Sequence, residues 1–293
     1  MSTSNLEDQV RAAAAGDRDG AEAVLAAVRG EVYRLSLRML GHLADAEDAT
    51  QEILVLVLTR LASFRGESAF RTWVYRVAVS HLLRRKRGER ETLTFDTLEE
   101  RLSTGLQSDA PGVPDAEVEV HAREVRLRCT SGMLLCLDRE LRIAWVLGEI
   151  VGLSGEEAAT VLEIEPAAFR KRLSRARGLL FSFLRRQCGL FDESLPCRCS
   201  RQIGPALQRG LFRRGELSFA CHPVETLGSG RGLPAALTRD DVERSAEEVA
   251  ALQRAAEVLR GHPDYAAPEA LTARLRRLIR SDELELLGPT PWQ

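Results

Sequence analysis

The sequence predicts an all-α protein with two small helical domains joined by a flexible linker and followed by a mostly helical carboxyl-terminal segment. Strand signals are almost absent, because Val, Ile and Thr do not alternate with polar residues over any useful run. Apolar residues instead recur at helical spacing through most of the chain. A length of 293 residues is enough for two or three small domains.

Residues 1–90 are predicted to form a compact helical domain. Eight apolar residues at helical spacing indicate a buried face over two helices, the second of which ends at Gly41. A third helix begins at Asp45 and carries acidic residues along one side, and residues 64–68 form a turn before a fourth helix. The eight apolar residues are Ala21, Val24, Leu25, Val28, Val32, Leu35, Leu37 and Leu40.

The fourth helix combines aromatic and basic residues. Such a composition suits a surface that stacks unpaired bases and neutralises their phosphates. It suits equally a helix whose aromatic residues belong to the core and whose basic run is a solvated end. The candidate nucleic-acid contacts of this helix are Phe70, Trp73, Tyr75, Arg76, Arg84, Arg85, Lys86 and Arg87.

Residues 91–120 are predicted to be a flexible acidic linker. They contain eight acidic residues against the single basic residue Arg101, and Pro111, Gly112 and Pro114 interrupt any helix.

Residues 121–187 are predicted to form a helix-turn-helix domain. An apolar-periodic segment at 141–150 stops at Gly152, and Ser154 with Glu157 then forms a capping box that starts a short helix. Pro166 opens the next helix at a position where its missing N–H costs nothing. The alternative is a solvated arginine-rich helix in an ordinary bundle, and the capped helix with its two turns favours the helix-turn-helix.

The last helix of this domain has two chemically different faces. Residues 166–187 contain seven Lys and Arg residues and no Asp or Glu, which suits contact with phosphates. The opposite face is apolar and is predicted to be buried; it carries Phe169, Leu173, Ala176 and Leu180.

Three segments in this order resemble the extracytoplasmic-function (ECF) sigma factors of bacterial RNA polymerase. They are DAEDATQE at 45–52, FRGESAFRTWVYRVAVSHLLRRKR at 64–87 and LSGEEAATVLEIEPAAFRKRLSRAR at 153–177, and the resemblance covers about two thirds of the chain. It implies a protein that binds core RNA polymerase and promoter DNA and directs promoter recognition, melting and initiation. An anti-sigma factor is a further partner of such proteins.

The resemblance also implies roles for particular residues. Asp48, Gln51 and Glu52 match the surface that grips the clamp helices of the largest polymerase subunit. Phe64 and the aromatic, basic helix after it match the part that melts the minus-ten element and holds a flipped base. The acidic linker matches one that threads the RNA exit path. The residues placed at the minus-thirty-five element are Arg170, Arg172, Arg175 and Arg177, with Lys171 beside them.

The chain departs from the family pattern at three places. Glu163 stands where the second turn usually has glycine, and Glu165 replaces the usual serine N-cap. Together these changes are expected to cost on the order of 1 kcal/mol and to leave a less rigid turn. The helix after Glu52, ILVLVLTRL, is unusually aliphatic, which predicts weaker binding of the polymerase.

The extension at 188–293 lies outside the sigma pattern and is predicted to be partly helical, at about 242–260 and 268–279. Cys188, Cys197, Cys199 and His222 would satisfy a tetrahedral zinc ion. The C-x8-C-x-C spacing is not a usual zinc pattern, so three unligated thiols in a small fold are an equal alternative to a metal or redox site.

Several classes are disfavoured by the sequence. The first eleven residues are polar and no apolar run approaches a membrane span, so a cytoplasmic protein with reduced thiols is expected. No enzyme motif is present, so neither catalysis nor a required cofactor is expected. Two other classes remain: a helix-turn-helix regulator that acts without polymerase, and an interaction protein regulated through its cysteine-containing extension.

Overall fold

The structure, a computed structural model, is all-α, as the sequence predicts. Within its described residues the extended pairing is limited to an isolated bridge between Arg213 and Glu216. No helix in this part of the chain is both long and apolar enough to cross a membrane. The described residues are 3–85, 92–108, 112–220, 258–259 and 265–280. They fall into two compact units, one drawn from 1–86, 159–164 and 265–293, the other from 87–158 and 165–264.

Four helices of the amino-terminal segment form most of the first unit. α2 packs against α1 and α3, and α4 packs against both α2 and α3. Their shared core is aliphatic and excludes water completely at Val28, Ile53 and Val57. The four helices are α1 (Thr3–Ala14), α2 (Arg18–Leu40), α3 (Leu43–Thr59) and α4 (Phe70–Arg84).

α2 is a single helix, so the expectation of two helices over its apolar residues is wrong. The Asp17 side chain accepts a hydrogen bond from the Gly20 N–H at 2.8 Å and starts the helix. Gly41, at φ 65°, ends it in the left-handed conformation that glycine adopts without strain. Gly30 lies between these ends without breaking the helix, because packing on both sides outweighs its weak helix propensity.

The first unit also contains a helix from the carboxyl-terminal extension. This helix, formed by Glu269–Arg280, confirms the one predicted at 268–279. It contacts α2 and α3 and buries Leu271, Leu275 and Ile279. The other predicted helix, at 242–260, lies almost wholly outside the described residues.

The second unit begins with two helices, and the first of them corrects the linker prediction. α5 (Phe95–Leu106) lies inside the segment expected to be flexible. The Thr94 side chain accepts from the Thr97 N–H at 3.1 Å to start α5, and α6 (Asp115–Leu135) begins directly after Pro114. The prediction of a flexible linker rested on the excess of acidic residues. It took no account of the apolar residues of α5, which pack against parts of the chain distant in sequence.

The helix-turn-helix elements follow as predicted. α7 (Arg139–Trp145) continues through a π-helical turn that ends at Gly152, with φ 77°. In the capping box of α8 (Gly155–Leu162), Ser154 N donates to Glu157 Oε2 at 2.9 Å and Glu157 N donates to Ser154 Oγ at 3.2 Å. α9 (Pro166–Gln187) has its proline at the first turn. Pattern and capping therefore fixed these boundaries correctly.

The first part of the extension, up to residue 220, belongs to the second unit and does not form a separate domain. A short helix, α10 (Ile203–Gln208), packs on α6 and on α5. Val125 of α6 shares a buried apolar cluster with Ile203, Ala206 and Phe212 of the extension. The helix Glu269–Arg280 is accordingly α11.

Candidate nucleic-acid interface

Three aromatic rings cluster where the 64–68 turn meets α4. The Phe64 ring centroid lies 5.3 Å from that of Phe70 and 5.6 Å from that of Trp73, and the Phe70 and Trp73 centroids are 5.8 Å apart. Phe70 is buried, with 5% of its surface exposed, whereas Phe64 and Trp73 are half-buried. Phe70 is therefore a core residue, and the other two rings retain surface that a base could contact.

The remaining aromatic and basic residues of α4 are placed unevenly. Tyr75 and Arg76 are half-buried and Arg84 is exposed. The half-buried Arg85 donates from Nη1 to Glu52 Oε2 at 2.9 Å. Lys86 and Arg87 lie outside the described residues.

The three acidic-surface residues of α3 differ in their surroundings. Asp48 is exposed and Gln51 is half-buried. The Glu52 carboxylate contacts both His81 Nε2 and Arg85 Nη1 of α4, each at 2.9 Å. Asp48 is thus open to a partner, while Glu52 first has to leave an ion pair that ties α3 to α4.

α9 separates apolar and basic faces as predicted. Phe169, Leu173, Ala176 and Leu180 are buried. Arg170, Lys171 and Arg175 are exposed, so their charges face solvent. This confirms the two-faced character of the helix.

Two of the arginines predicted to bind DNA contact carboxylates of the same unit. Arg172 Nη2 lies 2.9 Å from Glu140 Oε2, and Arg177 Nε donates to Glu149 Oε1 at 2.8 Å. These contacts hold α9 against the segment that precedes the helix-turn-helix. Arg170, Lys171 and Arg175 are therefore the better placed of the five for DNA.

The turn before α9 shows the cost of its departure from the family pattern. Glu163 has φ 53°, and it is the one non-glycine residue of the described chain with a positive φ. Glu165 occupies the N-cap of α9 without a side-chain capping bond. Both observations agree with a turn less well suited to its conformation than one built from glycine and serine.

Known proteins are similar to this chain in sequence. A family model described as Sigma-70 region 2 matches residues 24–92. The ECF RNA polymerase sigma-E factor of Escherichia coli (strain K12) is 30% identical over 138 residues, which cover 45% of this chain and 70% of that protein. The chain belongs to the ECF sigma factors.

Two further proteins are similar to this chain. The RNA polymerase sigma-H factor of Pseudomonas aeruginosa is 28% identical over 171 residues, which cover 55% of this chain and 84% of that protein. A solved structure of CnrH in complex with the cytosolic domain of CnrY is 24% identical, with a TM-score of 0.43, and covers 60% of this chain and 95% of that one. The protein is a sigma factor with a role in transcription initiation.

The cysteines that the structure describes lie together in the second unit, but the predicted zinc site stays a prediction. In the described residues, no group of three or more Cys, His, Asp or Glu side chains is arranged to hold a metal ion. His222 lies outside those residues. Cys188 and Cys197 are brought close by the hydrogen bond from Gly189 N to Cys197 O, at 3.0 Å.

Sequence reasoning missed two further cysteines of the same group. Burial raises the pKa of the Cys129 thiol, and the neighbouring Cys199, Cys188 and Cys197 raise it further. Burial also raises the pKa of the Cys136 thiol to about 12 and that of Cys199 to about 11. Such thiols stay protonated at neutral pH, which makes them weak nucleophiles in this state. Nothing in the sequence groups Cys129 with the other cysteines, because it lies 59 positions before Cys188 and only the fold brings the two together.

Proposed function

We propose that this sigma factor binds core RNA polymerase through α3, recognises the upstream promoter element through α9 and melts the downstream element through α4. The single observation that carries the proposal is that one chain holds two chemically different basic surfaces, on α4 and on α9. α4 offers half-buried aromatic rings beside basic side chains, and α9 offers an exposed basic face. Duplex recognition needs only the second of these surfaces.

The proposed melting surface consists of Phe64, Trp73, Tyr75 and the basic end of α4. A flipped base costs a few kcal/mol to unstack, and an aromatic surface with phosphate contacts offsets that cost. The Phe64 and Trp73 rings are tilted by 54° to each other, so they form an open corner and not a closed stack. Phe70 supports this corner from the core, because its ring stacks on Trp73 at 25°.

The proposed recognition surface consists of Arg170, Lys171 and Arg175. Arginine side chains on a helix in the major groove read guanine by paired hydrogen bonds. Arg172 and Arg177, held by Glu140 and Glu149, position the helix and reach DNA only if these ion pairs open. A regulator that acts without polymerase would use the same helix. That alternative does not explain the aromatic and basic residues of α4.

The partners of the proposed function are core RNA polymerase and promoter DNA. An anti-sigma factor that masks one of the two surfaces is a further proposed partner, based on family membership. We also propose a structural zinc ion, with Cys188, Cys197, Cys199 and His222 as its ligands. The alternative is a group of thiols that changes state on oxidation.

Two variants, assayed in reconstituted transcription, test whether α9 recognises the promoter and α3 binds the polymerase. Arg170→Ala with Arg175→Ala should keep core binding and lower transcription from a minus-thirty-five-dependent promoter by tenfold or more, since each direct base contact is worth about 1–3 kcal/mol. Asp48→Arg should instead abolish core binding in a pull-down assay.

Matched controls exist for both changes. Arg185 is an exposed arginine near the end of α9, and Glu7 is an exposed carboxylate of α1 in the same unit as Asp48. Arg185→Ala and Glu7→Arg should both behave as wild type. If the paired α9 variant and its control transcribe equally well, α9 is not the recognition helix. Normal polymerase recovery with Asp48→Arg would remove α3 as the contact.

A further inference from the structure

The carboxyl-terminal helix α11 lies along α2 in antiparallel register. Arg29 of α2 donates a hydrogen bond to Thr272 near the start of α11. Arg276 Nε donates to Glu22 Oε2 at 3.1 Å, and Arg280 Nη2 donates to Asp19 Oδ1 at 3.2 Å. As the chain advances along α11, its partners step back along α2, which defines the register of the pair.

An apolar seam runs beside these polar contacts. Leu271, Leu275 and Ile279 repeat every four residues on one face of α11, and each is at most 5% exposed. By helical spacing, Leu25 shares a face of α2 with Glu22 and Arg29, which bind α11, and it is 3% exposed. Removing α11 would uncover this face of α2, because the polar pairs mark the line along which the helices meet.

Charge complementarity favours the same arrangement. Arg280 holds the pKa of the Glu22 carboxyl below its usual value by a hydrogen bond, and Arg276 adds to the effect. Conversely, Glu22 and Asp19 raise the pKa of the Arg280 guanidinium. The acidic residues at the start of α2 therefore form an acceptor for a basic amphipathic helix.

α11 also contacts α3, the helix proposed to bind polymerase. α4 covers the side of α3 that carries Glu52, because His81 and Arg85 of α4 contact that carboxylate. By helical spacing, Leu54 and Leu58 lie on the other side, on the same face as Gln51. α2 and α3 are joined by a short loop and run antiparallel, so the first half of α2, where α11 lies, is beside the second half of α3.

We propose that α11 covers in cis part of the surface through which α3 binds core polymerase, so that polymerase binding requires α11 to leave. The inference rests on the proposed function of α3. A helix of the same chain packed on α3 would account for its unusually aliphatic second half. The extension then acts as a latch on the polymerase-binding unit.

Charge reversal on α11 tests the latch in the full-length protein. Arg276→Glu with Arg280→Glu places like charges against Asp19 and Glu22 and should release the helix. Arg274→Glu with Arg277→Glu is the matched control, since it makes the same charge change at two exposed positions of α11. Adding Glu22→Arg to the first variant should restore docking.

Two readouts are needed. Amide hydrogen exchange over 269–280 reports docking, because a helix of this length is marginal in water once it is released. The dissociation constant for purified core polymerase reports the consequence. The released variant should lose amide protection and bind core about tenfold more tightly. The control should stay within about twofold of wild type, and the Glu22→Arg rescue should return both readouts toward wild type.

The alternatives give different results. Loss of protection with unchanged or weaker core binding would show that α11 only braces the unit, and the latch would be rejected. Unchanged protection in the reversed variant would reject the docking contact itself. If neither wild type nor any variant binds core polymerase, the proposed function fails. If all of them bind it equally well, only the latch is rejected.

Discussion

At the residue scale, Glu163 shows how a sequence departure becomes a structural cost. The family pattern has glycine at this turn, and the φ of 53° at Glu163 explains why. A side chain with a Cβ is strained in this region, whereas glycine is not. The position was predictable from sequence because the conflict is local.

Glu163→Gly is expected to stabilise the protein. Relief of the left-handed strain should raise the free energy of unfolding by about 0.5–1 kcal/mol, after allowance for the greater freedom of glycine in the unfolded chain. Urea denaturation measures the change. Glu163→Ala is the control, since it removes the carboxylate and keeps the Cβ. Equal stability of the two variants would show that the backbone conformation is not the cause.

Other residues could not have been predicted, because their partners are remote in sequence. Arg142 is buried and donates to the carbonyl oxygens of Leu134 and Leu137, each at 2.9 Å. Nothing local distinguishes it from the solvent-exposed arginines that the composition suggests. Cys129 and Glu124 were missed for the same reason.

At the element scale, capping and periodicity predicted the helix-turn-helix correctly, and the linker prediction failed at α5. Two carbonyl groups in the second half of α5 accept hydrogen bonds from the extension: Gln202 Nε2 donates to Leu102 O and Arg209 Nη1 to Arg101 O, each at 2.8 Å. Passage of the linker through an RNA exit path would require α5 to give up these bonds.

The junction of α6 with the extension depends on a buried carboxylate. Glu124 is fully buried and accepts from Arg128 Nε at 2.7 Å. Its other oxygen accepts the N–H groups of Phe219 and Ala220, at 2.9 and 2.7 Å. The Arg128 guanidinium also lies over the Phe219 ring, 5.2 Å from its centroid. One carboxylate therefore binds residues 219 and 220 of the extension to α6.

Glu124→Gln is expected to destabilise this junction. The amide keeps the shape but loses the charge that pairs with Arg128, and its NH2 group faces donors, so a loss of about 2–4 kcal/mol is expected. Thermal unfolding measures the stability, and hydrogen exchange at 212–220 locates the effect. Glu119→Gln, at an exposed position of α6, is the control. Similar unfolding of the two variants would contradict the role of Glu124.

At the scale of the whole molecule, a net charge of −2 conceals strong segregation of charge. Basic side chains concentrate at the end of α4, on α9 and on α11, while α3 and the linker segment are acidic. The separation of basic surfaces between two units predicts weak promoter binding by the protein alone. Segregation of charge was visible in the sequence, but the return of α11 to the first unit was not, since amphipathicity gives no information about the partner of a helix.

We propose that this chain directs initiation by core RNA polymerase. Run-off transcription on genomic fragments, with core polymerase and the protein added separately and together, tests it most directly. We expect discrete transcripts with a shared upstream sequence only when both are present. Transcripts no different from those of core polymerase alone, together with tight binding of the isolated protein to a palindromic duplex, would contradict it.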